Sequence, residues 1–382
     1  MGCALSSKSL VSAIGRRRRG SRRFGVAVAT ATVVAFTGGV AQAAPDLGSS
    51  GSSDTGSLDA GSLASGSVGA GSSIPPALQE DPGPPPPVRD DITTAAIVAE
   101  SSPTAQTQRL TVASPALRRE VTLDVLLPAD RSTARPVLYM LDGVSARNNK
   151  SGWMTHGAPE FFADKDTNVV MINGGRGSVY TDWDQADPKL GWNKWETFIA
   201  EELPPLIDAK LGTNRVRAVA GLSMGGQAAM MLTHRHPDLY RGVAAFSGCF
   251  TTDDTLGRLT IQTSVTSQGG DPTNMWSSPN GPQWSEHDSV KNAEKLRDKQ
   301  IYLSVGNGIP GKYESNTDPK TLAVGVALEV GSKMCTEKLE SRLDALKIPV
   351  TVRYESQGIH AWGYWTEQLP KAWPTLRKAL GL

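Results

Sequence analysis

Short apolar runs rich in Val, Ile and Leu recur along the chain from residue 121 onward. They are Val121–Leu127, Val137–Leu141, Val169–Asn173, Val216–Ala220, Val243–Ser247, Ile301–Val305 and Val350–Tyr354. Each is bounded by polar or Gly-containing sequence and has the length of a strand. Between them lie stretches whose apolar positions repeat with helical spacing: Trp195–Leu211, Gln227–His234, Val290–Leu296, Leu322–Leu346 and Glu367–Leu380. Strand and helix alternate, which predicts an α/β domain: a mostly parallel central sheet with helices on both faces. The segment Thr251–His287 breaks this rhythm; it is long, irregular and rich in Gly, Ser, Asn and Trp. A loop of that length in a compact domain usually forms a lid or the wall of a binding cleft. No internal repeat is visible.

The first quarter of the 382-residue chain reads differently. Arg16–Arg19 and Arg22–Arg23 precede the apolar stretch Phe24–Phe36, and Ala41-Gln42-Ala43 offers a small-x-small cleavage site before Ala44. This is the layout of an export signal over residues 1–43. The apolar stretch is short for a membrane span and is interrupted by Thr30 and Thr32, so a cleaved signal is expected rather than an anchor. The arginine pair at 22–23 hints at twin-arginine export, but its spacing favours the general secretory route. Residues 46–75 are a Gly/Ser tract and 76–88 are Pro-rich, so 44–94 is expected to be a disordered linker. The folded domain is then residues 95–382, the size of one large α/β domain.

The formal net charge of +1 gives no electrostatic case for a nucleic-acid partner. Cys3 falls in the signal, which leaves Cys249 and Cys335. Two buried thiols or one disulfide are both compatible with the sequence; an oxidising compartment favours the disulfide.

The chemistry concentrates at Gly221-Leu222-Ser223-Met224-Gly225-Gly226, between the strand Val216–Ala220 and the helix that follows. Strand, G-x-S-x-G turn and helix form a nucleophile elbow, in which Ser223 sits on a sharp turn with its hydroxyl exposed. Gly221 and Gly225 remove side chains where strand and helix come close. The N–H of Met224, at the helix start, can face a developing oxyanion. A serine hydroxyl also needs a base, and the base needs an acid to orient it. In the α/β-hydrolase order both follow the serine. His360 follows the final strand in the loop Gln357-Gly358-Ile359-His360, where this fold presents its base. His234 and His236 lie on or past the elbow's own helix, and His287 lies in the irregular segment. For the acid, the loop after the penultimate strand offers Glu314 and Asp318, and the long helix beyond it offers Glu329; pattern alone favours the loop. A second oxyanion donor is expected after an early strand, at Asp142-Gly143-Val144, where Gly143 lets the N–H of Val144 turn into the cleft. The His, Cys and acidic spacings show no metal-ligand pattern, so neither metal nor other cofactor is expected.

Across residues 108–380 the chain resembles the mycolyltransferases of the antigen 85 type, in the esterase branch of the α/β-hydrolases. The motifs are Leu141-Asp142-Gly143, Ser151-Gly152-Trp153, Tyr180-Thr181-Asp182-Trp183, Lys194-Trp195-Glu196-Thr197-Phe198, the elbow itself, Met275-Trp276, Gly306-Asn307-Gly308 and His360-Ala361-Trp362-Gly363-Tyr364-Trp365. Their order and spacing carry the resemblance. It implies Glu329 as the acid, through the Leu328-Glu329 pair, with Asp318 as the alternative. It implies Val144 and Met224 as oxyanion donors, and Asp142 and Trp362 beside the sugar. Ser145 stands where the family usually has a sugar-contacting arginine, with Arg147 nearby, and Asp184–Trp192 lacks the family's cysteine pair.

The implied activity is acyl transfer through an acyl-Ser223 intermediate. A mycolyl or other long-chain fatty acyl group would move between trehalose mono- and diesters and to cell-wall arabinogalactan. The protein is expected to be secreted or in the cell envelope, as a monomer. Transfer must outcompete water, which demands an acceptor held in attack geometry; Trp183, Trp362 and Trp365 are candidate sugar-stacking residues, with Trp365 expected to pack instead. The rival reading is a secreted serine esterase that hydrolyses acyl esters. The non-enzymatic reading, a wall-binding module on a Gly/Ser stalk, fits poorly with a complete serine, acid and histidine set.

Overall fold

The computed structural model describes residues 87–382. The export segment 1–43 and most of the tract 44–94 lie outside the described residues. Nine strands form one sheet: β1 (Ala96–Thr104), β2 (Thr107–Ser114), β3 (Arg119–Leu126), β4 (Val137–Leu141), β5 (Asn168–Ile172), β6 (Arg217–Leu222), β7 (Gly242–Phe246), β8 (Gln300–Val305) and β9 (Thr351–Tyr354), in the order β1-β2-β3-β5-β4-β6-β7-β8-β9. The pairs from β5 through β4, β6, β7 and β8 to β9 are parallel. The pairs β1–β2, β2–β3 and β3–β5 are antiparallel.

The parallel strands β4 to β8 are buried on both faces, while β9 at the sheet edge is largely exposed, and period-2 alternation sorts the buried side chains into two layers. Tyr139, Leu141, Val170, Ile172, Val219, Val243, Ala245 and Leu303 share one apolar core. Leu138, Met140, Val169, Met171, Ala218, Ala220, Ala244 and Tyr302 share the other. The chain therefore has the mostly parallel α/β sheet that the strand–helix alternation predicts. β1 and β2 escape that reading: β1 is mostly exposed at the sheet edge, and β2 interleaves Thr, Gln, Arg and Ser among its apolar residues, so no apolar run marks either.

The helices are α1 (Ala158–Phe162), α2 (Trp195–Thr197), α3 (Leu203–Leu211), α4 (Met224–Arg235), α5 (Thr255–Thr266), α6 (Pro282–Glu286), α7 (Pro319–Ala345) and α8 (Trp362–Leu380). The stretch expected as one helix over 195–211 is split by a π turn at Phe198–Glu202. Pro204 and Pro205 follow that turn and supply no N–H for ordinary helical bonding. Val290–Leu296 is not an α-helix; only a 3-10 turn at Ala293–Leu296 forms there. The segment 251–287 carries α5 and α6 rather than being wholly irregular. α7 begins at Pro319, three residues before the apolar pattern starts, because Asp318 caps it and proline suits the first helical position. α8 begins at Trp362 and holds Pro370 and Pro374 in its interior. Trp365, Leu369, Ala372, Leu376 and Ala379 form its buried stripe against the second core, and that burial outweighs the lost backbone bonds. Cys249 and Cys335 are joined by a disulfide, tying α7 to the segment just after β7. No helix among the described residues is long and apolar enough to cross a membrane.

Candidate active site

β6 ends at Leu222 and α4 begins at Met224, so Ser223 alone makes the turn between them. Its φ is +53° and ψ −123°, a conformation unfavourable for any residue but glycine. Two constraints hold it there. The Ser223 N–H donates to the Phe246 carbonyl of neighbouring β7 at 2.7 Å. The flanking glycines let the backbones close up: a Cβ on Gly221 would lie 2.2 Å from the Gly225 carbonyl oxygen, and one on Gly225 would lie 2.3 Å from that of Asp142. No larger residue fits either position.

The structure brings Ser223, His360 and Glu329 together. His360 lies in the loop between β9 and α8, with its N–H donating to the Gly325 carbonyl of α7 at 3.1 Å. Its Nε2 is 2.7 Å from Ser223 Oγ, and its Nδ1 is 2.8 Å from Glu329 Oε2. Nδ1–H must donate to the carboxylate, which leaves the Nε2 lone pair to accept the serine proton. Glu329 is 1 % exposed. Its Oε1 accepts from Ser247 Oγ at 2.8 Å and from the Gly306 N–H at 2.6 Å. A buried carboxylate with three donors is compensated for its lost hydration.

The alternative acids are engaged elsewhere. Asp318 caps α7, accepting from the N–H groups of Lys320 and Thr321, and its bonds to Thr321 hold its carboxyl below the usual range. Glu314 accepts from the Tyr364 hydroxyl at 2.5 Å and from the Gly311 N–H at 2.6 Å. The remaining histidines downstream of the serine also lie apart from it. His236 Nε2 and Arg235 Nε meet Glu196 Oε1 at 2.8 and 2.6 Å, and His287 Nε2 lies 3.3 Å from Glu196 Oε2. His234 is buried, which pushes its imidazole down to about 3 and keeps it neutral.

Met224 is the first residue of α4, so its N–H has no acceptor within the helix. Gly143 abuts the nucleophile: a Cβ there would be 3.5 Å from that of Ser223 and 2.9 Å from Leu222 Cδ1. The turn carrying Val144 therefore passes beside the serine, held by Gly177 N–H donating to the Val144 carbonyl at 3.0 Å.

Asp142 is buried. Its oxygens accept from Ser151 Oγ at 3.1 Å and from the Gly152 N–H at 2.9 Å, and burial pushes its carboxyl up to about 7. Arg147 is exposed at the end of the same turn, its carbonyl accepting from the Gly174 N–H at 2.7 Å. Trp362 is half-buried, and one of its faces is already covered by the His156 ring, stacked at 4.2 Å and 8°. Trp183 is 1 % exposed, its indole N–H donating to the Ser178 carbonyl; it is a core residue and has no face free for a sugar. Trp365 is also buried, as its expected packing role requires, but its Nε1–H donates to Ser247 Oγ at 2.9 Å. Ser247 and His156 carry no sequence signal that marks them, and reading the chain as a pattern passes over them; Gly306 lies in the Gly306-Asn307-Gly308 motif, but that motif does not reveal that its N–H meets Glu329.

Comparison with known proteins gives the chain's relatives. A family model described as putative esterase matches residues 114–376. The diacylglycerol acyltransferase/mycolyltransferase Ag85A of Mycobacterium leprae (strain TN) is 31 % identical over 292 residues, covering 74 % of this chain and 86 % of that protein. The corresponding Ag85B of Mycolicibacterium smegmatis is 30 % identical over 295 residues, covering 74 % and 88 %. Among solved structures, Mycobacterium tuberculosis MPT51 superposes with a TM-score of 0.63 at 26 % identity, covering 72 % of this chain and all of that one. An S-formylglutathione hydrolase from Agrobacterium tumefaciens shares the fold, with a TM-score of 0.56 at 15 % identity over 75 % of this chain and 99 % of its own.

Proposed function

The chain belongs to the antigen 85 mycolyltransferase family, within the putative esterases, and we propose that it transfers a mycolyl or similar long-chain acyl group between trehalose esters and to cell-wall arabinogalactan through an acyl-Ser223 intermediate. The observation that carries this reading is the unbroken run of hydrogen bonds from Ser223 through His360 to Glu329. In the first half-reaction Ser223 Oγ attacks the ester carbonyl carbon while its proton passes to His360 Nε2. The new imidazolium is balanced by Glu329. The carbonyl oxygen becomes an oxyanion facing the N–H groups of Val144 and Met224, donors fixed before the reaction begins. The bond from carbonyl carbon to sugar oxygen breaks, and His360 returns the proton to that oxygen. In the second half a sugar hydroxyl gives its proton to His360, attacks the acyl-enzyme and releases Ser223, which regains the proton.

On this reading the sugar lies against Trp362 and the turn from Asp142 to Arg147. Arg147 offers an exposed cation there. Asp142, already bonded to Ser151 and Gly152, shapes that wall from beneath. The enzyme would act outside the cytoplasm, in the envelope or the medium, in keeping with residues 1–43. The deciding experiment incubates the purified protein with trehalose monomycolate and resolves the products. Trehalose dimycolate and free trehalose are expected. Free mycolic acid and trehalose alone would replace transfer with hydrolysis by the same three residues.

A further inference from the structure

Ser247 and Trp365 touch no reacting atom in the reaction above, yet both lie against the Glu329–His360 pair. Ser247 follows β7 directly and is 3 % exposed. Its φ is +50°, in the left-handed region that a non-glycine residue keeps only where its surroundings hold it. Those surroundings are visible. Its N–H donates to the Ser304 carbonyl at 2.8 Å, and its carbonyl accepts from Ser332 Oγ of α7 at 2.9 Å. Two residues on, Cys249 is bridged to Cys335 of the same helix.

The strained backbone aims one hydroxyl between two partners. Ser247 Oγ is 2.9 Å from Trp365 Nε1 and 2.8 Å from Glu329 Oε1. An indole N–H can only donate. Ser247 Oγ therefore accepts from Trp365, and its single proton goes to Glu329. With the Gly306 N–H also on Oε1, that oxygen holds two donors, and Oε2 is the one presented to His360. The Trp365 ring also meets the His360 ring edge-on, with centroids 5.0 Å apart. Trp365, Ser247, Glu329 and His360 thus close a ring of contacts in which the direction of every hydrogen bond is fixed.

We propose that Ser247 and Trp365 are positioning residues for the acid: the Trp365 indole directs the Ser247 proton onto Glu329 Oε1, which keeps Oε2 turned toward His360 Nδ1. This fixes the tautomer in which Nε2 can take the Ser223 proton. The inference rests on the acyl-enzyme reading of Ser223.

The test compares Ser247→Ala, Ser247→Gly, Trp365→Phe and Ser247→Ala/Trp365→Phe with the wild type, using p-nitrophenyl butyrate turnover, labelling by a fluorophosphonate and thermal unfolding. Ser247→Gly relieves the positive φ, so it separates loss of the hydroxyl from loss of the fold. Loss of the hydroxyl should lower kcat about 10- to 100-fold, the range that partners orienting a catalytic ligand command, with KM within about twofold of the wild type. Without the Ser247 donor Glu329 becomes more basic and holds a proton on His360 to higher pH, so the acid limb of the kcat profile should move upward. Because Trp365 acts through Ser247, the double variant should be no slower than Ser247→Ala by more than about twofold. A folded Ser247→Gly or Ser247→Ala protein with wild-type kcat and pH profile overturns the inference, and so do additive effects in the double variant. Failure of the wild type itself to be labelled overturns the acyl-enzyme reading instead, and takes this inference with it.

Discussion

Two buried glutamates in this molecule each gather histidines and a hydroxyl, and the geometry of one supports catalysis while that of the other supports only structure. At Glu329 the elements line up in series: Oε2 meets His360 Nδ1, and the opposite ring nitrogen meets Ser223 Oγ. At Glu196 they converge on one atom: His287 Nε2 lies 3.0 Å from Thr181 Oγ1 and 3.3 Å from Glu196 Oε2, while His287 Nδ1 faces the Gln283 carbonyl at 2.7 Å. No nitrogen is left there to relay a proton from hydroxyl to carboxylate. The charges differ as well. Glu196 has a permanent cation, Arg235, at 2.6 Å. Glu329 is held by neutral donors; on the proposed mechanism the His360 imidazolium is the cation it would stabilise. Thr181 is fully buried in the core, whereas Ser223 stands on a strained turn with an accessible hydroxyl. The Glu196 cluster joins α2, the end of α4 and the segment around α6, so it holds a wall of the molecule. The comparison shows that hydroxyl, imidazole and carboxylate within hydrogen-bond distance do not make a catalytic set; the order of contact does.

The sharpest way to break this comparison is to remove the hydroxyl from each cluster. Ser223→Ala and His360→Ala should each lower ester turnover by roughly 10³-fold or more while unfolding at wild-type temperature. Thr181→Ala should leave turnover within about threefold and lower stability by about 1–3 kcal/mol, since it deletes a buried partner. Kinetics on p-nitrophenyl butyrate and thermal melts of the same preparations decide it. Near-normal turnover in folded Ser223→Ala protein would end the serine mechanism.

The carboxylates give the next contrast. Glu329→Gln should cost about 10²-fold or more in kcat, because the amide can no longer stabilise the imidazolium. Asp318→Asn should stay close to wild type in rate and stability, since asparagine also caps helices well. Glu196→Gln should lower stability by about 1–3 kcal/mol by leaving the half-buried Arg235 without its charge partner, with a far smaller effect on kcat. A crippled Asp318→Asn beside an active Glu329→Gln would transfer the acid's role to the loop.

The smallest effect is in the pH dependence of stability, where two carboxyls pull in opposite directions. Burial disfavours the charged form of Glu196, but hydrogen bonds from His236 and His287 and the charge of Arg235 outweigh it and hold the carboxyl well below its usual range. Its contribution is present above the ordinary glutamate range and is lost on acidification. Asp142 is raised by burial from 3.8 to about 7, so between those values the native state binds more protons than the unfolded chain. Stability from this group is full below about pH 4 and falls as pH rises through 7, at no more than about 1.4 kcal/mol per unit. Unfolding free energies measured from pH 4 to 8 should therefore lose this downward component in Asp142→Asn. An identical slope in the variant would show that Asp142 keeps an ordinary carboxyl.

Much of this was legible in the chain. The apolar runs and the Gly221–Gly225 elbow fix the parallel core and Ser223, because strand burial and a turn too tight for side chains both write themselves locally. His360 followed from its place after the last strand. The acid did not follow from local pattern: spacing alone favoured Glu314 and Asp318 in the loop, and only the Leu328-Glu329 resemblance pointed to Glu329. The sugar-side tryptophans were harder still. Trp183 reads like a binding residue but packs in the core, and Trp362 carries the His156 ring on one face.

The sequence by itself determined the parallel core of the sheet, the turn carrying Ser223 and the place of His360 after the last strand, since each is set by contacts among residues close along the chain or by a periodicity repeated along it. Tertiary structure decided which carboxylate meets His360, which hydroxyl bonds that carboxylate, and that Cys249 meets Cys335 across 86 residues. Those choices depend on where α7 lies against the ends of β7 and β8. Ser247 meets Glu329 there across 82 positions and Gly306 meets it across 23, pairings that no local pattern encodes. Only the buried sheet and the packing of α7 bring these distant donors onto one buried carboxylate, where a polar group left without its partners is costly.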